Sequence, residues 1–171
     1  MNINDLKILY QYNYWSRDKV LQAAGVLSHD QLTSQSSISF GNMFKALTHI
    51  LNAEWIWRLR CQKNSSPNTM LLEEKITDFE SLQSVWLSEE IQMRSYINEL
   101  EDIDLERVVK YGQMGGAEQH NVLWHILVHI VNHGTQHRAE IASLLTDLGH
   151  PPGYLDFILF LREKQPGLDV V

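Results

Sequence analysis

The run WHILVHIVNHGTQHRAEI, residues 124–141, places histidine at 125, 129, 133 and 137. In a helix, residues four apart share a face, so this spacing stacks the imidazoles along one stripe. Ile126, Ile130, Ile141, Leu144 and Leu148 recur at helical period and define an apolar face. Each residue turns the side-chain direction by about 100°. On that wheel His137 points near the centre of the apolar face, and His133 lies to one side of it but still inward. His129 sits farther out, and His125 is at the edge. The inner pair is therefore His133 and His137. Buried imidazoles need partners, and two of them at i and i+4 can meet one ion. A hydrogen-bonded or surface histidine competes with that reading, and the spacing alone does not exclude it.

The rest of the chain is built to match a long helix. Residues 5–27 lack proline and carry apolar residues at mixed three- and four-residue steps, as do residues 40–62. Thr77 and Glu80 have capping-box spacing and introduce a third helix over 78–100. A fourth covers roughly 121–148, with Gly149 as its C-terminal cap and Pro151 and Pro152 as its stop. A short final helix is expected over 154–162. Residues 106–111, ERVVKY, have the character of a short extended piece, and NSSPNT at 64–69 breaks the helical pattern. The expected fold is all-α: an antiparallel four-helix bundle with a short fifth C-terminal helix, in one domain over 1–171. Such bundles hold metals between facing helices.

Two histidines do not complete a metal site, since zinc takes three or four protein ligands. His49 is the best candidate for the next one. Asn42, Ala46, His49, Ala53 and Trp57 recur at steps of four and three, and the small alanines leave room for an imidazole and an ion. Phe40, Phe44, Leu47 and Leu51 define a competing face that would turn His49 away, so periodicity leaves its direction open. Glu54 is the alternative carboxylate ligand.

Composition narrows the function classes. Fourteen basic and 21 acidic side chains give a formal charge of −7, with no basic cluster, which argues against nucleic-acid binding. The single cysteine, Cys61, excludes an intrachain disulfide and reads as a small buried side chain. No segment approaches 18 uninterrupted apolar residues, and the first residues do not have the pattern of a secretory leader. A soluble cytoplasmic protein with no membrane partner is expected. The nearly all-round apolar helix at 40–62, with Trp55 and Trp57, exceeds what one stripe requires and raises the expectation of a homodimer.

Several stretches together resemble the DinB family, the DinB/YfiT-like group of helical bundle proteins. They are LYQYNYWSRDKVL near the start, FGNMFKALTHILNAEWIW in the second helix, VNHGTQHRAEIASLLTDLGHPP in the fourth, and YLDFILFL near the end. The most specific part is the His133, His137, Arg138 run followed by LGHPP. The resemblance implies a metal site formed by His49, His133 and His137, with a position left open for water or substrate. Gln136 is a departure, because family members often carry a second histidine beside the last ligand. The resemblance also implies, for some relatives, activation of a low-molecular-weight thiol for transfer.

The implied cofactor is one divalent transition ion, zinc or nickel first, with iron and manganese as alternatives, since imidazole suits them all. Such a site can activate a small thiol or lower the pKa of a coordinated water for hydrolysis. Glu54 and Asp156 are the acids that could serve as a general base. Tyr12 and Tyr154 could orient a small-molecule substrate, and Arg138 could neutralise an anionic one or pair with a surface acid. A non-catalytic metal- or ligand-binding bundle is the competing class, so whether the chain is an enzyme stays open at this stage.

Overall fold

The computed structural model describes residues 1–63, 75–112 and 118–164. The chain runs through α1 (Ile3–Ala24), α2 (His29–Thr33), α3 (Met43–Lys63), α4 (Phe79–Asn98), a 3-10 turn (Asp102–Glu106), β1 (Val108–Gly112), β2 (Glu118–Val122), α5 (Leu123–Asp147) and α6 (Phe157–Lys164). It is mainly helical. The extended character of 106–111 is realised in β1, which pairs antiparallel with β2 from Val108 opposite Val122 to Gly112 opposite Glu118. Residues 118–122 therefore belong to a small hairpin, and the expected start of the fourth helix at 121 moves to Leu123. The short α2 also lies in what reads as a plain polar connection. NSSPNT falls outside the described residues.

Local chemistry sets the helix ends. Asn2 caps α1 by accepting from the backbone N–H of Asn4 and Asp5. The expected Thr77–Glu80 cap is displaced by one residue. Asp78 Oδ1 accepts from Ser81 N at 2.8 Å, and Ser81 Oγ lies 3.0 Å from Asp78 N. Aspartate outcompetes threonine here because its charged oxygen meets the positive end of the helix. At the far end of α5, Gly149 has φ +83°. Gly149 N–H donates to Thr146 O at 3.0 Å and His150 N–H to Leu145 O at 2.8 Å, a complete Schellman closure.

The long helices pack as a ring of neighbours: α1 against α5, α5 against α3, α3 against α4, and α4 against α1. Buried apolar residues gather in two clusters. One contains Tyr10, Met93, Leu127 and Phe160; the other contains Leu47, Leu51, Trp86 and Ile141. Trp55 is buried and Trp57 half-buried, and both pack against these clusters. No helix among the described residues is long and apolar enough to cross a membrane.

Buried polar side chains tie the helices to one another. Arg58 on α3 forms a two-pronged ion pair with Glu89 on α4, at 2.5 and 2.7 Å. Tyr14 on α1 and Trp86 on α4 both donate to Glu54 on α3. Burial pushes the Glu54 carboxyl up to about 7, against the opposing hydrogen bond from Tyr14. Arg138 on α5 reaches across to α1, where Nη1 donates to Asn13 Oδ1 at 2.7 Å, and its Nη2 donates to Thr135 Oγ1 at 3.0 Å. Arg138 is only 2% exposed, so it does not pair with a surface acid.

Gly134 makes that crossing feasible. A Cβ at this position would lie 2.6 Å from Arg138 Nη1 and 3.2 Å from Asn13 Oδ1. Alanine would gain up to about 1 kcal/mol of helix propensity. It would also break a buried charged hydrogen bond, which costs about 1.5–3 kcal/mol. The steric term wins, so Gly134→Ala should lower stability by about 0.5–2 kcal/mol net. Urea denaturation followed by circular dichroism checks this, and an unchanged or raised midpoint would show that Arg138 relocates freely.

Candidate metal centre

His49 enters from α3 and His133 and His137 from α5. The start of α3 is fixed by Asn42, whose Oδ1 accepts from Lys45 N at 2.8 Å. From that start, Leu47 and Leu51 turn into the core and His49 takes the edge facing α5. Phe44, Leu47 and Leu51 do pack on the core but without turning His49 away, and Phe40 precedes the helix. It sits in a turn that uses Gly41 at φ +77°, with Ser36 N–H donating to Gly41 O at 2.7 Å. The turn folds Phe40 back over the site. Its ring stacks on His49 at 3.9 Å between centroids and meets His137 edge-on at 5.3 Å.

The three imidazoles form a triangle. Ring centroids are 4.9 Å apart for His49 and His133, 5.0 Å for His49 and His137, and 4.6 Å for His133 and His137. One ligand nitrogen from each lies within 4.8 Å of the others. His49 Nε2 and His133 Nε2 face each other at 3.0 Å. Around one tetrahedral ion with metal–nitrogen bonds of ~2.0–2.1 Å, two nitrogens stand ~3.3 Å apart. The His49–His133 pair stands near that spacing, and the three nitrogens are close enough together to share one divalent ion.

Electrostatics agree. Burial, reinforced by His137 and then His49, pushes His133 down to about 4. Burial and His137 lower His49 as well. Neutral imidazole is the ligand form. His137 is held from behind by Glu140, whose Oε2 lies 3.2 Å from His137 Nδ1. That contact directs the free Nε2 toward the other two rings, the usual carboxylate–histidine arrangement behind a metal. Glu140 is in turn held by Ser39, whose Oγ donates at 2.5 Å. Ser39 and His137 keep the Glu140 carboxyl below its usual range.

The other sequence candidates lie elsewhere. His129 is exposed and rests against Trp57 at 5.4 Å and His133 at 5.7 Å. His125 is exposed and packs on Trp124. The inner pair of the wheel is the pair that is withdrawn: His137 is buried and His133 half-buried, while His129 and His125 are exposed. Glu54 is withdrawn into the core by Tyr14 and Trp86 and does not join the cluster. Asp156 is exposed at the start of α6, where its carbonyl accepts from Leu159 and Phe160. Tyr12 donates to Leu155 O at 2.9 Å and so clasps the C-terminal segment, while Tyr154 is 77% exposed. Cys61 is buried, and burial pushes its thiol up to about 12, which makes it inert near neutral pH.

The family model for the DinB family matches residues 1–168. The chain belongs to the DinB family. It is similar to Protein DinB of Bacillus subtilis (strain 168), at 21% identity over 157 residues, covering 90% of this chain and 91% of that one. The family match spans every element that carries the histidine cluster, from α3 to α5.

Phe40 and Glu140 are the site residues that the sequence reading missed. Glu140 had a signal, since it follows His137 by three residues and so shares its face. Phe40 had none, because its place depends on a turn outside any helix. If Glu140 orients His137, Glu140→Ala should weaken zinc binding by about 10- to 100-fold, the usual cost of losing such a partner. Calorimetric titration of the metal-free protein checks this. Equal affinity in the variant would show that His137 needs no support.

Proposed function

We propose that the protein is a divalent-metal-dependent enzyme on an antiparallel four-helix bundle, with His49, His133 and His137 as the ion's ligands and a small thiol as substrate. The observation that carries this reading is the meeting of three imidazole nitrogens from two helices within 4.8 Å. The bundle reading rests on the ring of pairings among α1, α5, α3 and α4. Three neutral nitrogens leave the charge of the ion uncompensated and a coordination position for an anionic partner. Zinc or nickel suits this donor set best, with iron and manganese as alternatives.

The chemistry that such an ion supplies is Lewis-acid polarisation, which lowers the pKa of a coordinated thiol or water. The chain's own residues favour the thiol. Hydrolysis benefits from a general base within reach. Glu54, the acid expected for that role, is spent on Tyr14 and Trp86 in the core. Glu140 is spent on His137 and Ser39. A thiol needs no such base, because coordination itself favours the nucleophilic thiolate form. Phe40 covers His49 and limits access of water on that side.

His133→Ala and His137→Ala should each lose most of the affinity for zinc, nickel and manganese, and His49→Ala should do the same from the opposite helix. His129→Ala should lose little, because that ring stands outside the triangle. Metal content after exchange into metal-free buffer reads the first step. Cobalt-loaded protein titrated with 2-mercaptoethanol reads the second, through the near-ultraviolet sulfur-to-cobalt band. Retained metal with no thiol-dependent band would move the protein to the class of non-catalytic metal-binding bundles.

A further inference from the structure

A cavity of about 470 Å³ opens beside the histidine cluster, lined by Phe40, Phe44, Lys45, His49, Asn52 and Ile76. Its walls are mainly apolar, and besides His49 two polar side chains stand out. Asn52 is only 3% exposed, yet its Oδ1 has no hydrogen-bond partner. A buried carboxamide left unpaired costs about 1–3 kcal/mol, so its presence on a cavity wall calls for a ligand. Lys45 is exposed at the same cavity, and its ammonium has no carboxylate partner among the described residues. The remaining polar lining group, Thr48, is already engaged, because its Oγ1 donates to Phe44 O at 2.8 Å.

These groups are ordered along α3. Lys45, His49 and Asn52 fall at i, i+4 and i+7, which places them on one face of the helix. At a rise of about 1.5 Å per residue, Lys45 and Asn52 stand about 10 Å apart along the axis, with His49 between them. A ligand lying along this face would meet a cation at one end and a carboxamide at the other. Its middle would pass the imidazole that faces α5.

We infer that this cavity binds a second substrate beside the thiol position of the proposed enzyme, and that this substrate is an N-acylated amino acid. The carboxylate pairs with Lys45. The amide N–H donates to Asn52 Oδ1. The apolar side chain packs on Phe40, Phe44 and Ile76. The identity of this ligand class rests on the metal-centre reading only for what stands beside the bound molecule, since Lys45 and Asn52 themselves need no ion.

The test uses zinc-loaded protein and calorimetric titration with N-acetyl-L-leucine. Two controls lack one feature each: 4-methylpentanoate has no amide, and N-acetyl-L-leucinamide has no carboxylate. N-acetyl-L-leucine should bind at least tenfold more tightly than either. Asn52→Leu should erase the advantage over 4-methylpentanoate, and Lys45→Gln the advantage over N-acetyl-L-leucinamide. Asn52→Leu should also unfold at the same or a higher temperature, because it removes an unpaired buried amide at nearly constant volume. A lowered melting temperature would make Asn52 a structural residue and overturn the inference, as would equal binding of the three compounds or an unchanged preference in the variants. Zinc content measured on the same samples separates this outcome from loss of the metal centre. Zinc retained without binding of N-acetyl-L-leucine refutes the cleft alone. Binding retained in zinc-free protein that does not reload refutes the metal centre alone.

Discussion

Everything around the histidine cluster follows from one requirement: three imidazoles are turned toward one another, and two of them are pushed by burial away from carrying charge. One N–H shared between His49 Nε2 and His133 Nε2 at 3.0 Å satisfies only that pair. A cation would answer all three ring nitrogens together. The helices must therefore be held at a fixed distance and rotation, since a turn of α5 by one residue would swing His133 and His137 off the face by about 100°.

The buried polar contacts supply that fixity. Arg138 follows His137 directly in sequence and is anchored to Asn13 on α1 and to Thr135 within α5. Gly134 follows His133 and clears the path for the guanidinium. The backbone segment that carries two of the three imidazoles is thus pinned from its rear. On the other side, α3 is locked to α4 through Arg58 and Glu89 and to α1 through Glu54 and Tyr14. Buried ion pairs of this kind contribute little net stability compared with well-packed apolar residues. Their value here is that they admit one rotation of each helix, which apolar packing alone specifies less sharply.

The sequence exposed some of this and hid the rest. The long helices were legible because apolar residues recur at helical period, and the inner pair of histidines followed from the same period. His137 is buried and His133 half-buried, while His129 and His125 are exposed. The extended character of ERVVKY was also visible. Its partner strand at Glu118–Val122 was not, because EQHNV carries no alternation: four of its five residues face solvent and the last is half-buried. His49 was undecided on periodicity, since α3 is apolar on several faces. Its direction is settled by where the helix begins, which depends on Asn42 and on the glycine turn before it. Glu54 read as a ligand or base from its chemistry, but the phenol of Tyr14 on a distant helix decided its place. Contacts between elements far apart in sequence leave no local period to read.

The central claim is that the three imidazoles hold one ion, with a coordination position left over. X-ray absorption at the metal edge of zinc-loaded protein tests it most directly. The account predicts three imidazole nitrogens at about 2.0–2.1 Å, together with one lighter scatterer that is replaced by sulfur at about 2.3 Å when 2-mercaptoethanol is added. A spectrum with fewer than three imidazoles, or a fourth protein ligand that the thiol cannot displace, would contradict it.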